Sequence, residues 1–249
     1  MDSKRTENRF ALPYTVLASA CDHTARLGYV ETFALCQDLA TVHAAQLGLG
    51  VWDMTKRGLF WLTVKTKLRF YRRPRMMEEL TLRTYPLVPE KFRSIREYAI
   101  EQDGQTLVQG KTEWAVLEQQ TGKLFRTDQV FSPEIVPVAE PAFDEPFLRL
   151  RDDFSDGTLL GVHRVSSADI DLGRHMNNVA YLRALLSLFS TQELDAMPIS
   201  QIELAFRSPC FEGNELRFYG RRVSDGLEFG AFTDAPKPVL LGKLTYTTE

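Results

Sequence analysis

Five side chains suited to proton transfer or carbonyl chemistry fall within ten residues: Asp169, Asp171, His175, Asn177 and Asn178. Groups of this kind are costly to bury without partners, so their clustering asks for an explanation. A carboxylate takes a proton from water or attacks a carbonyl itself. A histidine titrates near neutral pH and orients water or donates a proton. The residues that follow read as a helix, whose first amides lack partners inside it and carry the positive end of its dipole. Such amides polarise a carbonyl and hold an oxyanion. Asn and Asp are also ordinary caps and turn formers, and Asn177 and Asn178 alone read as a plain helix start. His175 and the two carboxylates favour the chemical reading.

The elements that position this segment occur twice. Leu68–Leu80 and Leu204–Leu216 align without a gap, with Leu, Phe, Glu and Leu coinciding. Each alternates apolar and polar residues, breaks, and alternates again, as expected of strand, turn and strand. Further on, Glu97-Tyr98 leads to Gly110-Lys111 and Trp114, and Glu228-Phe229 leads to Gly242-Lys243 and Tyr246. Both read as long hairpins. Upstream of the strands, apolar residues at helical spacing predict one long helix per half, Val30–Leu49 and Asn178–Leu194, with Pro198 stopping the second. A helix apolar over a broad face needs a curved sheet around it. Pro133, Pro137, Pro141 and Pro146 mark a connection. The expected organisation is therefore a domain over 1–131, a Pro-rich linker over 132–158, and a second domain over 159–249 that carries the motif.

Composition narrows the classes. At 44% hydrophobic and 25% charged residues the chain is ordinary for a globular protein, and a net charge of −3 supplies no global basic field for nucleic acid. Cys21, Cys36 and Cys210 are sparse, odd in number and widely spaced, which fits a reducing compartment and no Cys-x-x-Cys metal site. The apolar piece Phe10–Ala20 is short and interrupted by Pro13 and Tyr14. It suits neither a membrane span nor a signal-peptide core, so a cytoplasmic protein without membrane contact is expected.

The pattern Asp-x-Asp-x-x-x-His-x-Asn-Asn-x-x-Tyr, from Asp169 to Tyr181, resembles the signature of hotdog thioesterases. From about Tyr14 to the C-terminus the chain resembles the acyl-acyl-carrier-protein thioesterases of bacteria and plastids. Gly58–Trp61, Arg75–Thr84, Ile95–Tyr98 and the final hairpin share in the likeness. The resemblance implies an α+β protein of two tandem hotdog domains, each a curved antiparallel sheet wrapped around one long helix. It implies hydrolysis of fatty acyl-acyl carrier protein, with no cofactor and no metal. Asp171 would be the principal carboxylate and His175 its partner. Cys210 falls where plant members often carry a cysteine, and is the weaker candidate because a buried structural cysteine is the commoner case.

Two departures qualify that likeness. The family's usual asparagine after the aspartate is replaced by Gly173, and its usual glutamate in the later strand by Pro209. An acyl-coenzyme A thioesterase on the same fold and a non-catalytic acyl-binding protein therefore stay open, whereas a dehydratase would need an acid–base pairing that is not found. The first half reads Cys21–Val30, with Asp22 and His23 but no His-x-Asn-Asn, and is expected to be degenerate. His43 reads as a core histidine, and His163 receives no role. The stretch Lys65–Arg75 holds six basic residues and reads as a dock for an acidic carrier or as a solvated sheet face, with Arg72 and Arg73 the docking candidates. Trp52, Phe60 and Trp61 are wall candidates for an acyl slot, or ordinary core. A monomer and a homodimer are equally compatible with two fused units.

Overall fold

The computed structural model describes residues 8–247; the N-terminal residues 1–7, included in the targeting argument above, lie outside the described residues. The chain divides into two compact units: residues up to Val64 together with Tyr71–Glu145, and Lys65–Phe70 together with Pro146 onward.

The first unit contains β1 (Phe10–Thr15), α1 (Tyr29–Gln46), α2 (Val51–Lys56), the first half of β2 (Leu59–Phe70), β3 (Glu79–Pro86), β4 (Ser94–Gln102), β5 (Gln105–Glu118) and the short β6 (Leu124–Phe125). Its strands run in the order β1-β3-β4-β5-β2, with β6 against β5. Asp103 and Gly104, both at positive φ, make the tight turn between β4 and β5. Helix α1 buries Phe33, Cys36, Leu39, Ala40 and His43. Trp61 packs against a cluster built on Leu49, Met54, Leu59 and Val116. Trp52 is 71% exposed, so it walls no slot within this unit.

The second unit contains β7 (Thr158–Arg164), α3 (Asn178–Leu186), α4 (Thr191–Asp195), β8 (Ile199–Phe206), β9 (Glu215–Val223), β10 (Gly226–Phe232) and β11 (Pro238–Tyr246). With the end of β2 the strands run β2-β8-β11-β10-β9-β7. The single helix expected over Asn178–Leu194 is broken in two. Ser187 Oγ donates to the Ala184 carbonyl at 2.8 Å, and Ser190 caps a new helix in a reciprocal capping box with Glu193. Serine side chains that bond the backbone compete with helix continuation.

The aligned repeat marks the element bounds: β2 and β8 end at Phe70 and Phe206, and β3 and β9 begin at Glu79 and Glu215. The hairpin echo is also real in register, with Glu97 opposite Lys111 in β4–β5 and Glu228 opposite Lys243 in β10–β11. Gly242 is required there, because a β-carbon would come within 2.2 Å of the Phe229 ring.

The proline-bearing segment is tied to the sheets through lysine–glutamate pairs. In the first unit Lys111 Nζ donates to the Phe143 carbonyl at 2.9 Å, while Glu97 accepts from the amides of Ala142 and Phe143 at 2.8 and 3.1 Å. In the second, Lys67 donates to the Pro146 carbonyl and Glu203 accepts from the Leu148 amide. Lys67 and Glu203 are paired at 3.1 Å with side chains 0% and 1% exposed. Much of the basic stretch Lys65–Arg75 is therefore engaged inside the fold and is no solvated face. Arg69 bonds Gln201, Arg72 pairs with Glu78, and Arg73 pairs with Asp22.

Candidate active site

Strand β7 leads through a single 3-10 turn, Ser167–Asp169, into a small hairpin in which Ile170 pairs with Met176. Asp169 is a strut of this approach. It is buried, and its carboxylate accepts from the Ser166 amide and hydroxyl at 2.9 Å and from His163 Nε2 at 3.0 Å. Burial pushes its pKa up, but these hydrogen bonds outweigh that and hold it below the usual carboxylate range.

The hairpin loop carries Asp171 and His175. The Asp171 amide donates to the His175 carbonyl at 2.9 Å and the Arg174 amide to the Asp171 carbonyl at 3.0 Å. Asp171 Oδ1 accepts from the Gly173 amide at 2.8 Å, an Asx-type turn. The two candidate side chains converge on Gly173: a β-carbon added there would sit 3.1 Å from Asp171 Oδ1 and 3.5 Å from His175 Nδ1. Asp171 is half-buried and His175 is exposed, its ring edge-on to Phe211 at 5.1 Å between centroids. Among the described residues no cation pairs with Asp171.

Helix α3 begins at Asn178, with Asn177 as its cap. Asn177 Oδ1 accepts from the Val179 amide at 2.8 Å and the Asn177 carbonyl from the Ala180 amide at 2.9 Å. Two first-turn amides that the sequence offers to an oxyanion are therefore already engaged. Cys210 lies beneath the loop. Its carbonyl accepts from the Met176 amide at 2.8 Å, and its thiol lies beside the buried Tyr181 hydroxyl. Burial raises the Cys210 thiol above its ordinary pKa, although the Tyr181 bond opposes this.

The first unit builds the same turn with other side chains. Cys21 pairs with Leu27, the Asp22 amide donates to the Arg26 carbonyl at 2.9 Å, and the Leu27 amide donates to the Pro74 carbonyl at 2.8 Å. Asp22 thus occupies the place of Asp171 and Arg26 that of His175. Arg73, which aligns with Pro209, closes an ion pair on Asp22, donates from Nε to the Leu27 carbonyl at 3.0 Å and lies over the Tyr29 ring. Burial raises the Asp22 carboxyl, but bonds from Thr24 and the charge of Arg73 bring it below its ordinary value.

Two domain families match the chain, the acyl-ACP thioesterase N-terminal domain over residues 7–134 and the acyl-ACP thioesterase C-terminal domain over residues 159–229. The chain belongs to the acyl-ACP thioesterase family. It is 24% identical over 200 residues to oleoyl-acyl carrier protein thioesterase 2, chloroplastic, of Arabidopsis thaliana, covering 73% of this chain and 54% of that protein. An acyl-[acyl-carrier-protein] hydrolase of Cuphea viscosissima is 24% identical over 198 residues, covering 74% of this chain and 48% of that protein. The chain spans about half the length of these curated relatives. Among solved structures, an acyl-ACP thioesterase from Bacteroides thetaiotaomicron matches with TM-score 0.86 at 18% identity, over 96% of this chain and 98% of that one. The 12:0-ACP thioesterase from Umbellularia californica matches with TM-score 0.85 at 15% identity, over 98% and 99%. At such identities the likeness shows the fold, the tandem hotdog arrangement of antiparallel sheets and helices.

Within this acyl-ACP thioesterase frame, the gap at Gly173 lies between the two candidate side chains, and Pro209 lies in the β8–β9 connection one residue before Cys210. The sequence passed over three contacts. His163 bonds Asp169, Tyr181 lies beside Cys210, and Arg73 pairs with Asp22. The spacing Ser166-x-x-Asp169 is itself a capping signal that marks the first of them. The other two join residues 29 and 51 positions apart, and no local pattern announces them. An apolar crevice is lined by Leu35, Cys36, Leu39, Leu82, Tyr98 and Ile100 in the first unit.

Proposed function

We propose that this protein hydrolyses the thioester of a fatty acyl chain borne on acyl carrier protein, with Asp171 and His175 at the reacting centre. One observation carries the reading: an unpaired carboxylate and an imidazole converge at the start of a buried helix, in the segment that matches the family. Asp171 takes a proton from water as that water attacks the carbonyl carbon, or attacks the carbon itself to give an acyl anhydride that water then hydrolyses; in either case the carbonyl electrons move onto oxygen and return as the C–S bond breaks. His175, exposed at the turn, donates a proton to the departing thiolate. Because Asn177 occupies the Val179 and Ala180 amides, carbonyl polarisation falls largely to the His175 imidazole. Cys210 is assigned to packing, since its buried thiol is held away from the thiolate form that attacks carbonyls. The first unit is assigned no chemistry, its aspartate being closed by Arg73.

The carrier dock proposed for Arg72 and Arg73 loses support from their internal pairing. Among the described residues no helix is long and apolar enough to cross a membrane, and no group of three or more histidine, cysteine or carboxylate side chains is arranged to hold a metal.

Steady-state hydrolysis of a panel of acyl chains on carrier protein and on coenzyme A, with Asp171→Asn and His175→Ala alongside, tests this reading. Turnover of carrier thioesters that collapses in both variants is expected. A wild-type protein that binds but never hydrolyses would make it an acyl-binding module, and a preference for coenzyme A would change the carrier.

A further inference from the structure

The two turns of the chain share one backbone and differ in how it is held. The Asp171 amide donates to the His175 carbonyl and the Asp22 amide to the Arg26 carbonyl, both at 2.9 Å. The Arg174 amide donates to the Asp171 carbonyl and the Ala25 amide to the Asp22 carbonyl, both at 3.0 Å. One step earlier, the Asp169 amide donates to the Ser166 carbonyl and the Ala20 amide to the Leu17 carbonyl, again both at 3.0 Å. The Asn177 amide closes on the Asp169 carbonyl at 2.8 Å, as the Gly28 amide closes on the Ala20 carbonyl at 2.9 Å. Asp169 thus stands where the first unit has Ala20, and Ser166 where it has Leu17. His163 stands where it has Tyr14. His163 lies opposite Leu216 in β7–β9 and Tyr14 opposite Leu80 in β1–β3, and those two leucines end the gap-free repeat.

The first unit shows that this backbone forms with alanine at the pivot. The turn therefore folds without a carboxylate, yet the second unit buries one there. Its Oδ2 takes the Ser166 amide and hydroxyl at 2.9 Å and His163 Nε2 at 3.0 Å. Ser166 is the local half of this anchor, and His163 is the half that reaches strand β7. The Asp169 main chain receives the amide of Asn177, the cap of α3, and the adjoining Ile170 pairs with Met176. Asp169 consequently joins three pieces: β7 through its carboxylate, α3 through its carbonyl, and the Asp171–His175 hairpin through the chain. The copy that carries Asp171 and His175 has the anchor, whereas the copy that Arg73 closes has Tyr14, Leu17 and Ala20 in its place.

We propose that His163 and Asp169 are positioning residues of the thioesterase centre, clamping to β7 the hairpin on which Asp171 and His175 converge. This rests on the thioesterase reading. Hydrogen bonds to an ionised carboxylate are shorter and stronger than neutral ones, and a reacting geometry tolerates little drift. The clamp touches no reacting atom. It narrows the positions that the two side chains sample, so it acts on kcat more than on KM.

Three variants test this. Asp169→Ala writes the first unit's residue into the second, so its turn has a built precedent for folding. His163→Leu removes the donor from β7, and His163→Gln keeps an N–H near the place of Nε2. Amide hydrogen exchange reads the clamp without turnover. The Asp171, Arg174 and Asn177 amides should exchange about tenfold faster in Asp169→Ala and His163→Leu, and as in wild type in His163→Gln, while the β8 amides stay unchanged. Hydrolysis of the preferred acyl carrier thioester should lose about tenfold in kcat in the first two variants, with KM held within about twofold and kcat recovered in His163→Gln. Unchanged exchange at the hairpin, or an equal rise in β8, overturns the proposal. So does faster exchange with kcat unchanged, or a His163→Gln variant no better than His163→Leu. If wild type hydrolyses nothing, the thioesterase reading fails; faster hairpin exchange then keeps the clamp, and unchanged exchange removes it.

Discussion

At the residue scale, the chemistry turns on which polar groups are already committed. Asp169 Oδ2 takes three hydrogen bonds from Ser166 and His163, whereas Asp171 accepts one turn bond from Gly173 and, among the described residues, faces no cation. Environment, not residue type, separates the strut from the candidate base. Cys210 illustrates the same rule. Its side chain is completely buried, and burial raises its pKa. Thiolate is the reactive form, so iodoacetamide at neutral pH should leave Cys210 unmodified in the folded protein. Cysteine-resolved mass spectrometry checks this. Cys210→Ala should lower stability by roughly 1–2 kcal/mol and leave turnover within a few fold, as expected for a small buried side chain lost from a packed site. Rapid alkylation of Cys210 that abolishes turnover would restore it as a nucleophile.

At the element scale, the proline-bearing segment, a strap over the sheets, and helix α1 each meet a buried cation, Lys67 and Arg96, whose partner decides its effect. Lys67 and Glu203 face one another across β2 and β8 and hold the backbone of Pro146–Leu148. Removing one partner of such a pair leaves an uncompensated charge in the interior. Lys67→Met should therefore lose about 3–5 kcal/mol in denaturant unfolding, and Lys67→Met with Glu203→Leu should recover much of it. A double variant no better than the single one would show that grip on the strap matters more than charge balance. In α1, His43 is stacked on Phe10, and its Nδ1 accepts from Arg96 at 2.9 Å. Burial, aided by the Arg96 charge, lowers its pKa from 6.5 to about 4. The folded state then binds fewer protons than the unfolded state between those values, so stability must fall as pH drops from 6.5 towards about 4. The loss is on the order of 3 kcal/mol at full protonation. His43→Asn keeps an acceptor for Arg96 without titrating, and unfolding curves across this window should show a shallower pH slope.

At the scale of the whole molecule, much was legible because local patterns carried it. Gap-free coincidence of Leu68–Leu80 with Leu204–Leu216 marked a strand, a turn and a strand in each half, and the motif located the turn before α3. The broken second helix was missed because its apolar face runs past Ser187 and Ser190, where side-chain bonds to the backbone override the pattern. The basic stretch misled because alternation alone does not reveal that Lys67 has a buried carboxylate across the sheet. Duplication followed by divergence explains the remainder. Two copies of one turn hold an aspartate at the same place, and Arg73 in one copy against Pro209 in the other separates their fates. The copies should then respond in opposite ways. Asp171→Asn removes a carboxylate that no cation balances, so it should lower kcat by about 10²–10⁴-fold, the range for losing a general base, with little change in unfolding. Asp22→Asn leaves Arg73 without its counter-charge in a half-buried site, so it should lower stability by roughly 1–3 kcal/mol while kcat holds. The Asp22 contribution should also fade in acid, because a carboxyl held below its ordinary pKa stabilises only above the unfolded value and is lost as pH falls through the folded one. Measuring turnover and unfolding on both variants separates the copies. Loss of kcat in Asp22→Asn at temperatures where it stays folded would mean that both turns, not one, take part in the reaction.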